Sequence, residues 1–157
     1  MKPTSQLISL NSPEETAATA ARVGAILRPG DCLLLDGAIG SGKTHFARSL
    51  IQSLMRAPED VPSPTFTLVQ TYDTTAGEIW HSDLYRLGSI LEIEELGLAE
   101  ALETAICLIE WPQKLGVLAP KSALSLKFAL DPDHEGTRHL TISWTDPKWA
   151  PLLEKLL

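Results

Sequence analysis

Apolar residues recur along the chain in two patterns, one typical of buried strands and one of amphipathic helices. Continuous apolar runs at 32–35 and 106–109 favour strands covered on both faces of a parallel or mixed sheet. Apolar residues at helical spacing predict a helix over about 43–55. Further apolar or alternating segments predict the remaining strands, at 5–10, 68–72, 78–82, 123–130 and 139–144.

Capping residues mark the other helices. The sequence SPEE at 12–15 supplies a serine N-cap, a proline at the first helical position and a capping-box glutamate, and it predicts a helix to about residue 27. The sequence SILE at 89–92 repeats this spacing and predicts a helix that Gly97 closes. Residues 147–157 predict a terminal helix or a loosely packed tail. Together these elements indicate one α/β domain over the whole chain, with two hairpins in a mixed sheet.

The turn after the strand at 32–36 reads GAIGSGKT and fits the P-loop pattern G-x-x-x-x-G-K-[ST] without a mismatch. Its glycines let successive backbone N–H groups point at phosphate oxygens, and the following helix adds its positive N-terminal end. Lys43 would reach the β- and γ-phosphates, and the Thr44 hydroxyl would coordinate Mg²⁺. The rest of the predicted phosphate cradle is Gly37, Ile39, Gly40, Ser41 and Gly42.

A magnesium site needs further oxygen ligands, and two acids compete for this role. Glu110 ends the apolar run at 106–109, and strand ends of this kind form the ligand crevice of open α/β sheets. We therefore interpret Glu110 as the metal-side carboxylate and Asp83 as a second catalytic acid that orients water or metal. Asp83 is equally well explained as a helix N-cap or as a partner of Arg86.

Other residues near these motifs have two interpretations each. Thr65 or Thr67, in the loop SPTFT, would reach nucleotide or metal if this is a switch loop, or would only cap the loop. Trp111 would stack on a base, face a partner or lie in the core. His81 and His139 have no spacing partner for a metal site, so we interpret both as ordinary strand residues.

Charge and composition exclude several classes of protein. The net charge of −7 argues against sequence-independent contact with nucleic acid, which needs clustered lysine and arginine. No segment approaches the roughly 18 apolar residues of a membrane span, and the first residues show neither a signal nor a transit peptide, so we expect a cytoplasmic protein. Cys32 and Cys107 fall in predicted buried strands and are expected to act as small apolar residues without a disulfide partner.

Four motifs in one order resemble the bacterial TsaE family, also called YjeE. They are GAIGSGKT at 37–44, SPTFTLVQTY at 63–72, HSDLYRL at 81–87 and ICLIEWPQ at 106–113, and the resemblance extends over about 11–144. The family consists of small P-loop ATPases required for threonylcarbamoyladenosine modification of tRNA at the adenosine next to the anticodon.

The resemblance implies a P-loop NTPase-like three-layer α/β domain with a mixed, mainly parallel sheet. It implies ATP and Mg²⁺ as cofactors, with Thr44 and Glu110 on the metal side. It also implies TsaD and TsaB as partners, which carry the transferase chemistry and the tRNA contact. A TsaE-type protein binds ATP and slowly hydrolyses it to keep that assembly cycling, so this chain would meet tRNA only through the complex.

The resemblance has departures and looser matches. The family loop often reads GDLGAGKT, so Ala38 here removes a carboxylate near the phosphates, which is expected to alter turnover and to leave the cradle intact. Ile39 and Ser41 also differ. The family further implies that the start of the first helix, around 12–16, and Arg138 in the last hairpin lie beside the nucleotide.

Three other functions compete with this one. A regulatory GTPase would need a guanine-reading N-K-x-D element, which the sequence lacks. A small-molecule P-loop kinase would suit a single domain of this size, but such kinases usually place several arginines in a mobile lid, and the arginines here are few and scattered. A nucleotide-dependent scaffold whose hydrolysis is incidental is the third alternative.

Overall fold

A seven-stranded mixed sheet forms the centre of the fold, and helices cover both of its faces. The computed structural model describes residues 4–156. Its strands are β1 (Thr4–Leu10), β2 (Cys32–Asp36), β3 (Val69–Thr74), β4 (Gly77–Asp83), β5 (Ile106–Glu110), β6 (Leu124–Leu130) and β7 (Arg138–Trp144). Its helices are α1 (Pro13–Gly24), α2 (Lys43–Leu54), α3 (Ile90–Glu95), α4 (Leu98–Thr104) and α5 (Trp149–Glu154), with a 3₁₀ segment at Pro112–Leu118.

The strands follow the order β1-β7-β6-β2-β5-β4-β3 across the sheet. The four central strands, β6, β2, β5 and β4, run parallel, and the strands at both edges are antiparallel to their neighbours. The mixed sheet and both predicted hairpins, β3–β4 and β6–β7, are confirmed. Because parallel strands end at a common edge, the carboxyl ends of β2, β4 and β5 form one crevice.

Two hydrophobic cores lie on opposite faces of the sheet. Leu33 and Leu35 of β2 pack into the core that includes α1 and α2. Cys32 of the same strand belongs to the core with α3 and α4, and Leu34 packs against it. Since successive strand residues point to opposite faces, one apolar run contributes to both cores. The expected three-layer α/β arrangement is confirmed.

The N-terminus of α1 has the predicted capping. Ser12 Oγ accepts a hydrogen bond from Glu15 N at 3.1 Å, and Glu15 Oε2 accepts one from Asn11 N at 2.7 Å. The helix ends at Gly24, three residues before the predicted end. The apolar pattern continues to Leu27 because the chain past α1 tightens into turns, in which N–H groups bond to carbonyls three residues back, and Leu27 is still buried.

Two helical segments were not expected from the sequence. The predicted helix after Ser89 is confirmed as α3, and Gly97, with φ 80°, then begins α4 directly. Gly97 therefore ends one helix and starts the next, which its left-handed conformation permits. The 3₁₀ segment after Trp111 is the other unexpected element.

The C-terminal segment forms α5, within the predicted range of 147–157, of which residue 157 lies outside the described residues. Trp149 and Leu153 anchor α5 in the core that includes α1 and α2, and the Trp149 indole N–H donates to Ser122 O at 2.7 Å. Among the helices described between residues 4 and 156, none is long and apolar enough to cross a membrane.

Cys32 and Cys107 face each other in register on β2 and β5 as free, buried thiols. Burial raises the pKa of Cys32 and raises that of Cys107 from 9.0 to about 12. We expect neither thiol to react with Ellman's reagent at pH 8 in the folded protein, and both to react in urea. Equal rates in the two conditions would contradict this. Because burial raises the pKa of the Cys107 thiol from 9.0 to about 12, the folded state holds this proton more tightly than the unfolded state, and the free energy of unfolding should fall as pH rises between these values.

Candidate functional site

The carboxyl edge of the parallel strands borders a cavity of about 450 Å³. Most of the residues predicted for the site line it: Ile39, Gly40, Gly42, Lys43, Thr44, Thr65, Asp83, Glu110 and Arg138. The structure thus brings together residues from segments that are up to about a hundred positions apart in sequence. The two other predicted residues, Gly37 and Ser41, belong to the same loop but do not line the cavity.

The glycine-rich loop takes backbone conformations that other residues rarely adopt. Gly37, Gly40 and Gly42 have φ of 146°, 80° and 109°. Gly37 is also crowded, since a Cβ there would lie 2.6 Å from both Phe128 O and Ser41 Oγ. Gly42 is the N-cap of α2, so the loop leads directly into the helix N-terminus. The loop thus turns its backbone toward the cavity, and the backbone angles of this turn require glycine at these positions.

We expect Gly37→Ala to lower the free energy of unfolding by about 3 kcal/mol or more, because strain and a clash with backbone oxygen add together. Gly40→Ala is the matched control, since a Cβ at Gly40 has nothing within 4 Å. It carries only the left-handed backbone penalty of about 1 kcal/mol. Urea denaturation of both variants checks this, and equal losses would show that crowding at Gly37 is unimportant.

Lys43 is the buried cation of the site. Its Nζ donates to Gly37 O at 2.5 Å and lies 4.0 Å from the centroid of the Trp111 ring. Burial lowers the pKa of Lys43, and the nearby carboxylates of Glu110, Asp83 and Asp36 act in the opposite direction. The ammonium group is thus already held at the loop, next to three acids.

Thr44 and Glu110 are in direct contact. The Thr44 hydroxyl donates to Glu110 Oε1 at 2.8 Å, and Glu110 is only 2% exposed. Asp83 and Glu110 are register partners on β4 and β5, so their side chains leave the sheet on the same face. That is the face covered by α2, and Thr44 lies in the first turn of this helix. The pleat of the two strands therefore explains why both acids reach the start of α2.

Asp83 holds the loop SPTFT. Its Oδ2 accepts a hydrogen bond from the Thr65 hydroxyl at 3.1 Å, and its Oδ1 accepts one from Tyr85 N at 3.0 Å. Arg86 instead stacks on the ring of Phe66, 4.3 Å from its centroid. Thr67 accepts from the Gln70 amide outside the cavity. Of the two candidate threonines, Thr65 is the one that lies at the site.

Trp111 forms part of the cavity wall. It follows β5 in a left-handed conformation, with φ 59° and ψ 54°, which is uncommon for a residue other than glycine. Its ring lies 4.8 Å from that of Tyr85 and covers the Lys43 ammonium. It also packs against the core on the α3 side. Trp111 thus contacts both core and cavity.

Two further segments complete the cavity. Ser12, Pro13 and Thr16 at the start of α1 line it, together with Arg138 at the start of β7. Arg138 Nη2 lies 3.4 Å from Gly40 O, which places its guanidinium over the glycine-rich loop. Both segments therefore border the same cavity as the glycine-rich loop.

Sequence reasoning missed two groups of contacts. The sequence predicts an ordinary strand residue at His81, but its Nε2 lies 2.7 Å from Glu110 Oε2. The signal was its position two residues before Asp83, which puts both on one face of β4. Gln113 also had no predicted role, and its amide donates to Asp36 Oδ1 at 2.5 Å, while that oxygen accepts from Gly37 N at 2.8 Å.

The donor atoms of the cavity are those that Mg²⁺ prefers. Thr44, Asp83 and Glu110 present hydroxyl and carboxylate oxygens. Within residues 4–156 no group of three or more histidine, cysteine, aspartate or glutamate side chains is arranged to hold a metal by itself.

Comparison with known proteins identifies the family. A family model described as threonylcarbamoyl adenosine biosynthesis protein TsaE matches residues 10–140. The chain belongs to the TsaE family. Among TsaE proteins, it is 42% identical to that of Rickettsia bellii, over 84% of this chain and 92% of the relative. It is 34% identical to that of Bacillus subtilis, over 92% of this chain and 89% of the relative.

A solved structure shares the fold of this TsaE protein. The crystal structure of Bacillus subtilis YdiB matches with a TM-score of 0.78 and 26% identity, and the match covers 99% of this chain and 96% of the other. The match therefore extends over nearly the whole of the fold. The family assignment places the chain in threonylcarbamoyladenosine biosynthesis.

Proposed function

We propose that this TsaE protein is an ATPase of the cytoplasm that binds ATP and Mg²⁺ in the cavity at the carboxyl edge of the sheet. It hydrolyses ATP slowly and thereby supports repeated turnover of a TsaD and TsaB complex, which transfers the threonylcarbamoyl group to the tRNA adenosine next to the anticodon. The observation that carries the proposal is the 2.8 Å contact between Thr44 Oγ1 and Glu110 Oε1, beside Lys43 and below the glycine-rich loop.

The residues present fit a nucleotide phosphate chain and its metal. Ser41 Oγ is buried at the loop and has no hydrogen-bond partner among residues 4–156, so the loop has a free polar group. The loop also leads directly into the N-terminus of α2, where backbone N–H groups can bind anions. Both features are those of an anion cradle, and the acids beside it suit a divalent cation.

Each residue has a distinct role in the proposal. Lys43 and the backbone of the loop bind the phosphates, with Arg138 above the loop as a second cation. Thr44 and Glu110 hold Mg²⁺, which when bound neutralises charge that develops on the phosphates. Asp83 orients the attacking water or fixes Thr65, to which it is bonded at 3.1 Å.

The proposed division of labour agrees with the charge of the chain. A net charge of −7 does not favour binding of RNA by this chain. The proposal therefore assigns contact with tRNA to the partner proteins. The relatives are named for threonylcarbamoyladenosine biosynthesis, which supports a role in the pathway. Arg138 is the one arginine of the described residues that lines the cavity, whereas a small-molecule kinase usually needs several around the phosphates.

Reconstituted tRNA modification tests the proposal. TsaD and TsaB are supplied with substrate tRNA in excess and with ATP, with and without this protein, and modified tRNA is counted beyond the first turnover. The protein should raise the multiple-turnover yield and should hydrolyse ATP in a Mg²⁺-dependent manner. Unchanged turnover without the protein would overturn the partner role. Efficient transfer of phosphate to a small metabolite would support the kinase instead.

A further inference from the structure

His81 is a buried polar residue that the proposed function does not use. It is fully buried on β4, and Glu110, its partner, is almost equally buried at the end of β5. The distance between His81 Nε2 and Glu110 Oε2 is 2.7 Å. An ionised carboxylate has no hydrogen and can act only as an acceptor. The hydrogen in this contact therefore belongs to His81 Nε2. His81 therefore donates to Oε2 of Glu110, the oxygen that Thr44 does not contact.

The two oxygens of Glu110 have separate partners. Oε1 accepts from Thr44 at 2.8 Å, and Oε2 accepts from His81 at 2.7 Å. With both oxygens bonded, the carboxylate cannot rotate without losing one of these contacts. The other ring nitrogen of His81, Nδ1, is buried and has no hydrogen-bond partner among the described residues. The ring is thus anchored on the polar side through Glu110 alone.

We propose that His81 is a positioning residue that fixes the orientation of Glu110 toward the magnesium side of the site. This inference rests on the proposed function. His81 would not touch the metal or the nucleotide, and it does not line the cavity. By holding Oε2, it keeps Oε1 directed at Thr44, where the metal-side ligands meet. Hydrogen bonds of this kind to a ligating side chain usually contribute 10- to 100-fold to metal affinity or activity.

Two substitutions separate positioning from simple core packing. His81→Leu fills the space and removes the donor. His81→Gln places an amide N–H close to the original Nε2 position, so it keeps the donor to Glu110. For each variant we would measure the affinity for a fluorescent, non-hydrolysable ATP analogue in excess Mg²⁺ and in EDTA. The ratio of the two affinities is the magnesium gain, which does not depend on hydrolysis.

We expect His81→Leu to lower the magnesium gain roughly tenfold and to leave the affinity in EDTA within about twofold of the original. His81→Gln should retain most of the gain. In a Glu110→Gln background, His81→Leu should have no further effect on the gain, because the group on which His81 acts is already altered. Thermal unfolding of each variant establishes that it is folded.

Several outcomes would overturn the inference. An unchanged magnesium gain in His81→Leu, or equal losses of affinity with and without Mg²⁺, would leave His81 a packing residue. If His81→Leu does not fold, His81→Asn replaces it, because its shorter amide does not reach Glu110, and it must lose the gain that His81→Gln keeps. If the original protein shows no magnesium gain, the proposed function itself fails. A gain that is normal in the original protein and in every His81 variant overturns only the role of His81.

Discussion

Replacing Lys43 with methionine is expected to lower ATP hydrolysis roughly 100-fold and to weaken ATP binding. The Lys43 ammonium is held at the loop by Gly37 O at 2.5 Å and covered by the Trp111 ring. Methionine is shorter by the terminal nitrogen but keeps an unbranched apolar stem against Trp111, so the change removes mainly the charge that would face the phosphates. Phosphate release at steady state and titration with a fluorescent ATP analogue measure the two effects.

Lys121→Met is the matched control for this experiment. Lys121 is exposed and precedes β6 at its amino end, on the sheet edge opposite the glycine-rich loop. At this position the same substitution should leave ATP hydrolysis and ATP binding unchanged. If the Lys43 variant kept full hydrolysis, or if both variants lost it equally, Lys43 would have no special role at the phosphates.

The sequence predicts the parts of the fold that depend on local pattern. The apolar runs of β2 and β5 indicate strands buried on both faces, and the structure pairs them in parallel at the centre of the sheet. The capping residues around Ser12 and Ser89 mark the starts of α1 and α3 correctly. In each case a few neighbouring residues suffice to specify the element, because the relevant hydrogen bonds and periods are local.

Elements that depend on distant contacts were harder to predict. Helix α4 has seven residues and starts at a glycine, so it lacks both length and a side-chain cap, and its buried Leu98 and Ala101 stabilise it from the core. The left-handed backbone of Trp111 is supported by contacts with Tyr85 and Lys43, which lie far away in sequence. Neither feature has a local signal that distinguishes it from an ordinary loop.

The site shows the same division. The glycine-rich motif identifies the segment from Gly37 to Thr44 directly, because its spacing is tied to one backbone shape. The contact between His81 and Glu110 joins residues 29 positions apart, and it follows only once β4 and β5 are known to be parallel and in register. Pairing of strands, rather than residue type, therefore decides which polar residues reach the site.

Asp83 and Glu110 have different hydrogen-bond partners, which indicates different roles for the two acids. Asp83 accepts hydrogen bonds from Thr65 and from Tyr85 N, so its carboxylate stabilises the loop that follows α2 and the turn that follows β4. Glu110 instead bonds to Thr44 at the start of α2 and to His81. Loss of Asp83 is thus expected to disturb loop order, and loss of Glu110 to disturb the metal side of the site.

Replacing Glu110 with glutamine is expected to reduce Mg²⁺-dependent ATP hydrolysis by about two orders of magnitude. Glutamine keeps the size of the buried side chain and removes the negative charge that attracts the cation, so ATP affinity in EDTA should be retained while the gain from Mg²⁺ is lost. Phosphate release measures the loss of hydrolysis, and analogue binding with and without Mg²⁺ measures the loss of the gain.

Glu103→Gln, an exposed change at the end of α4 on the opposite sheet edge, is the control. A Glu110 variant that kept the gain from Mg²⁺ would show that the cation is held elsewhere, and Asp83 would then be the acid to test, since it is the other carboxylate lining the cavity.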